Sequence, residues 1–150
     1  MIVLAAACRV AVGTVLLLAG VAKLRQPAWQ ADAVRFGAPR TVVPAVPWAE
    51  LALGALLVTG AAGRLAVFGA LAVLGAFTGV VAARLVGGQT APCACFGEAS
   101  QRPLGPATLV RDLALVAACL IGLAATRAPA LGVITGVVAG AAFVALARRS

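Results

Sequence analysis

The chain has 150 residues, 63% of them hydrophobic and 11% charged, whereas soluble domains carry roughly 45–50% and about 25%. So little polar surface cannot cover a water-soluble globule, and the composition predicts a single membrane domain over residues 1–150. The net charge of +8 comes from basic residues set singly or in pairs between apolar runs, as charges flanking membrane helices are, so no nucleic acid is expected as a partner.

Crossing a bilayer takes about 20 apolar residues, with a range of roughly 17–25. Residues 2–22 form the first such segment, closed by Lys23 and Arg25. It has no basic leading region and runs longer than the apolar core of a secretory signal, so it is expected to be retained as a span. After it, Pro27 can open a short helix in which Trp29, Ala33 and Phe36 share one face. That helix would lie flat in the interface, or the stretch would fold as a buried loop.

The second span, 48–62, is entered through "VPAVPW"; the third, 65–86, ends at Gly87 and Gly88. A fourth, 107–125, follows the breaker "RPLGP", and a fifth, 129–147, ends in Arg148 and Arg149. "GAAGR" and "TRAP" read as tight turns. The longer links, 23–47 and 87–106, are two crossings apart, an even number, and fall on one side. The expected fold is all-α: an integral membrane helical bundle of about five transmembrane helices, in contact with the lipid bilayer of the cell membrane. Gly132, Gly136 and Gly140 repeat every fourth residue, giving a flat ridge for close helix approach. The ridge packs inside the bundle, where Gly75 and Gly79 could receive it, or it forms a homo-oligomer face.

The residues with chemistry to offer lie mainly in "TAPCACFGEAS", which holds Cys93 and Cys95. The chain has no histidine, which removes the commonest general base and any Ser-His-Asp or Cys-His hydrolase. Zinc sites use wider spacings and more ligands, so no zinc is expected, whereas copper(I) accepts two soft thiolates. A disulfide between the two cysteines needs a bent backbone, because in an extended chain their Cα atoms stand near or beyond about 6.8 Å. Closing so small a ring stabilises little, and strained, exposed disulfides exchange readily, which favours a redox device over a structural clip. Cys8 and Cys119 fall deep in spans and read as small core residues, able to face each other if the first and fourth spans are neighbours.

Lys23, Glu50, Arg111 and Asp112 are ionisable groups close to the same end of the spans, and such groups inside membranes are costly and usually paired or functional. Sequence neighbours on a helix point about 100° apart, so Arg111 and Asp112 are not expected to serve only each other. Glu50 with Arg111 and Lys23 with Asp112 is the complementary arrangement. It forms either a polar cluster supporting the thiols or a network that locks helix ends.

Four blocks, "AGVAKLRQP", "PWAELALG", "PCACFG" and "PLGPATLVRDLAL", resemble in order and spacing those of the MauE family, within the wider DoxX-like group. The resemblance covers essentially the whole chain. The C-x-C-F-G block followed by an Arg-Asp pair is its most specific part; the "AG-x-x-KL" block is common to DoxX-like proteins. The resemblance implies a multi-span helical protein in thiol redox work, maturing methylamine dehydrogenase, whose small subunit is rich in disulfides, beside a thioredoxin-like partner. It would assign the active thiols to Cys93 and Cys95.

Orientation is contested within the sequence. Lys23, Arg25, Arg35, Arg40, Arg84, Arg102, Arg148 and Arg149 fall on the side of the cysteine loop, against Arg64 and Arg127 on the other. Counting charges puts the loop in the cytoplasm, where disulfides are mostly reduced; maturing exported proteins needs it outside. The adopted expectation is an exoplasmic loop. The leading function is a membrane thiol–disulfide oxidoreductase or relay, with a membrane quinone as electron sink by analogy with other disulfide-generating bundles, although the sequence shows no quinone site. The alternatives are a soft-metal handling protein or small-molecule permease, and a scaffold that holds a redox partner without exchanging electrons.

Overall fold

A computed structural model describes residues 2–26, 28–35, 37–88 and 105–123. Five α-helices lie within them: α1 (Ile2–Arg25), α2 (Trp29–Arg35), α3 (Val46–Thr59), α4 (Gly63–Val86) and α5 (Pro106–Gly122). A 3-10 turn, Val43–Ala45, leads into α3. Strands are absent among the described residues, and the protein is an all-α membrane helical bundle. α1 and α4 each have 24 residues and are long and apolar enough to cross a membrane. α3 has 14 and α5 has 17. The expected fifth span, 129–147, and its glycine ridge lie outside the described residues.

Local chemistry explains where the helices stop. Pro47 sits in the first turn of α3, where a missing N–H is harmless. Gly60 ends α3 in the left-handed region (φ 75°) and donates its N–H to the Leu56 carbonyl, a conformation that side chains rarely adopt. Pro106 opens α5 after an extended Gly105.

The four long helices form a ring, with α1 packed on α3 and α5, and α4 packed on α3 and α5. Lipid offers no hydrophobic drive to pack helices together, so close backbone contact matters more. The α1–α3 seam has it: a Cβ on Gly13 would meet the Gly54 carbonyl at 2.9 Å, and one on Gly20 the Pro47 carbonyl at 2.9 Å. The tightest glycine-to-backbone contacts among the described residues therefore fall between α1 and α3, while a Cβ on Gly122 of α5 would meet the Arg9 Cα of α1 at 3.4 Å. A Cβ on Gly75 or Gly79 would meet nothing within 4 Å.

Each helix turns one stripe inward at spacings of three and four. On α1 it is Ala5, Arg9, Val12, Leu16, Ala19 and Lys23; on α3, Pro47, Glu50, Gly54 and Leu57. Val67, Ala70, Leu74 and Val81 form it on α4, and Asp112, Leu115, Cys119 and Gly122 on α5. Val12, Leu16, Leu57, Val67, Ala70, Leu115 and Cys119 make the apolar middle layer. Charges lie at both ends of that layer.

Candidate functional site

At one end, Lys23 on α1 donates to Glu50 on α3, Nζ to Oε1 at 2.5 Å, with both side chains 1% exposed. The ammonium also sits 4.9 Å from the ring centre of Phe77 on α4 and 5.8 Å from that of Trp29 on α2. Cation–π contacts of this kind are worth about 2 kcal/mol when desolvated. Four helices thus meet around a single Nζ. The short helix α2 exists as the sequence anticipates, but Trp29 is buried against this charge and not spread over the lipid interface. Pro27 and Phe36 lie outside the described residues.

Asp112 on α5 is also buried, at 4% exposure, and it is held by its neighbour: Arg111 donates to Oδ1 through Nε at 3.2 Å and Nη2 at 3.1 Å. The predicted pairing of Glu50 with Arg111 and Lys23 with Asp112 is therefore replaced by Lys23–Glu50 and Arg111–Asp112. Two physical facts explain the exchange. α3 sits beside α1 and across the ring from α5, so Glu50 meets the lysine of its neighbour. Arg111 starts about 100° away from Asp112, but its long stem lets the guanidinium fold back on the carboxylate.

Helix register sets the depth of Asp112. Arg9 on α1 abuts Gly122 on the antiparallel α5, so Asp112, ten residues before Gly122, is level with Ala19, ten after Arg9. That is one helical turn, about 6 Å, deeper than the Lys23 Cα. All four polar residues singled out from the sequence thus sit at one end of the bundle, as two bonded pairs on neighbouring helices.

Cys93 and Cys95 lie outside the described residues. Their segment, 89–104, joins the C-terminus of α4 to the N-terminus of α5, both at the Lys23–Glu50 end. Cys119 is a core residue whose Sγ lies 3.7 Å from the Val67 carbonyl. Cys8 is half-buried, and both thiols are free.

Among the described residues, two polar atoms at the Lys23 end have no hydrogen-bond partner although they are buried: Glu50 Oε2 and Trp29 Nε1. A third residue with such atoms lies at the opposite end and was not anticipated from the sequence. Arg9, 3% exposed, has Nε and Nη2 unpartnered. Its guanidinium fits where α3 and α5 terminate, with Nη2 3.1 Å from the position a Gly60 Cβ would take. Helix C-termini carry partial negative charge, which suits a cation there. The signal was legible: Arg9 interrupts an apolar run and lies fourteen residues, two heptads, before Lys23 on the same stripe.

A family model described as methylamine utilisation protein MauE matches residues 1–125. No match was found among curated proteins or among solved structures.

Proposed function

The chain belongs to the MauE family and is a membrane protein associated with methylamine utilisation, and from that premise we propose a thiol–disulfide relay in a multi-pass protein of the cell membrane. Cys93 and Cys95 exchange with a thioredoxin-like partner through a mixed disulfide, in the maturation of exported, disulfide-rich proteins of the methylamine dehydrogenase type. The observation that carries the reading is the C-x-C pair itself, in a connection whose two ends both lie toward the end of the bundle that holds the buried Lys23–Glu50 pair. A disulfide closing so short a ring adds little stability, which leaves exchange as its use.

Chemically, a partner thiolate attacks one sulfur of the Cys93–Cys95 disulfide, and the other sulfur leaves as a thiolate. The second partner thiol then resolves the mixed disulfide, leaving the pair reduced. Run backwards, the same steps deliver a disulfide. The buried pairs supply cationic groups at the loop end of the bundle, and a nearby cation favours a thiolate over a thiol. A Cys95→Ser variant should trap a thioredoxin-like protein as a mixed disulfide through Cys93. Titration of the Cys93–Cys95 pair across roughly −300 to −120 mV should find a reversible two-electron couple. A pair that never oxidises in that window, combined with stoichiometric copper(I) on the purified protein, would replace the relay with the soft-metal reading.

A further inference from the structure

We propose that the Lys23–Glu50–Trp29–Phe77 cluster is the headgroup site of a lipid-soluble quinone, which accepts the electrons of the thiol pair. The inference rests on the relay proposed above for its redox step, but its binding site is argued separately. Three observations converge. Glu50 Oε2 is a buried acceptor without a donor, and Trp29 Nε1 is a buried donor without an acceptor. Both belong to residues in contact with one ammonium, Lys23 Nζ, which Glu50 binds directly and the Trp29 ring faces at 5.8 Å. Phe77 supplies a second aromatic surface 4.9 Å from the same nitrogen.

Leaving a donor and an acceptor unsatisfied on two residues that share one ammonium is costly in a membrane interior, since burial keeps bulk water from both. One kind of ligand satisfies both in the two states of a single redox cycle. An oxidised quinone presents carbonyl oxygens that accept from Trp29 Nε1 and from the Lys23 ammonium. Its reduced form presents hydroxyls, one of which donates to Glu50 Oε2. The ring is flat and suited to aromatic neighbours, and a molecule dissolved in the bilayer reaches a bundle whose helix faces are lipid-exposed. An aqueous anion would suit the lysine alone and leave Glu50 repelling it.

The redox step balances. The S–H bonds of Cys93 and Cys95 break and one S–S bond forms. Two electrons pass to the quinone ring and two protons to its oxygens, giving hydroquinone. Glu50 is placed to take part in that proton transfer, with Lys23 beside it to hold the carboxylate in place.

Trp29 supplies the reporter. The other tryptophan, Trp48, is 64% exposed, so a full-length Trp48→Phe protein leaves Trp29 as the sole tryptophan. In detergent, a short-chain ubiquinone analogue should quench Trp29 fluorescence saturably, and an alcohol carrying the same alkyl tail should not. The paired substitution Lys23→Met with Glu50→Leu removes both charges together, so neither is stranded, and should weaken that binding at least tenfold. Quenching that rises linearly without saturation, or saturable binding untouched by the paired substitution in a folded protein, overturns the site. Repeating the titration on Cys93→Ser with Cys95→Ser separates the two ideas. Binding that persists there, with loss of quinone reduction by the reduced protein, supports both. Saturable binding without any thiol-dependent quinone reduction in the wild type keeps a quinone site and removes its redox role. Thiol exchange with a partner but no quinone binding keeps the relay and removes the site.

Discussion

At the scale of single residues, two buried basic groups pose opposite problems. Lys23 has a carboxylate, so removing either member strands the other: Lys23→Met alone or Glu50→Leu alone should cost about 3–5 kcal/mol. Removing both should restore wild-type stability or exceed it by about 1–4 kcal/mol, because the desolvation of two charges disappears with their attraction. A double variant as unstable as the singles would mean that the pair's contacts to Trp29 and Phe77 matter more than its charges. Arg9 differs because no acid among the described residues answers it. The sequence has four acidic residues; Asp32 faces Arg35, Glu50 faces Lys23, Asp112 faces Arg111, and Glu98 lies outside the described residues. Arg9→Met should therefore be tolerated and raise the thermal midpoint in detergent. Arg9→Glu should be strongly destabilising, since it points a negative charge at two helix C-termini. A loss of more than about 2 kcal/mol in Arg9→Met would show that the helix-end dipoles outweigh the desolvation of the guanidinium.

At the scale of elements, the α1–α3 seam should be the least forgiving surface of the bundle. A Cβ on Gly54 would lie 2.8 Å from the Gly13 carbonyl and 2.8 Å from Leu17 Cγ, and backbone cannot give way as a side chain can. Gly54→Val should destabilise by about 3 kcal/mol or more, the upper range for overpacking. Gly75→Ala meets no described atom and gains helix propensity of about 1 kcal/mol. Thermal melts of the two variants side by side read both effects. A cost at Gly75 comparable to that at Gly54 would mean that the ridge of Gly132, Gly136 and Gly140 packs there, as the sequence invites.

At the scale of the whole molecule, the ring of helices sends the Cys93–Cys95 connection and the Lys23–Glu50 pair to one end and Arg9 with Arg64 toward the other. If the thiols serve exported proteins, a membrane-impermeant maleimide applied to intact cells after mild reduction with an impermeant phosphine should label Cys93 and Cys95. On a variant lacking both, an Arg64→Cys probe should be labelled only after permeabilisation. The reverse pattern would put the thiols in the cytoplasm, as the count of flanking charges suggests, and would exclude a role in oxidising exported clients.

Composition determined that this chain is a membrane protein, because no arrangement of so few polar residues can cover a globule, and the length of its apolar runs made the spans helical. The boundaries of α3, α4 and α5 followed to within a few residues from Pro47, Gly60, Gly63, Gly87, Gly88 and Pro106, whose backbone preferences act locally. The inward orientation of Lys23, Glu50 and Asp112 was also legible, since each falls on its helix's stripe of three- and four-residue spacing. Which charge meets which was not. Pairing depends on which helices are neighbours in the ring, and neighbourhood is decided by non-local packing such as the close approach of Gly13 to Gly54. The same packing brought Trp29 onto Lys23 and stranded its indole N–H, a juxtaposition of α1, α2, α3 and α4 that no local pattern in the sequence encodes.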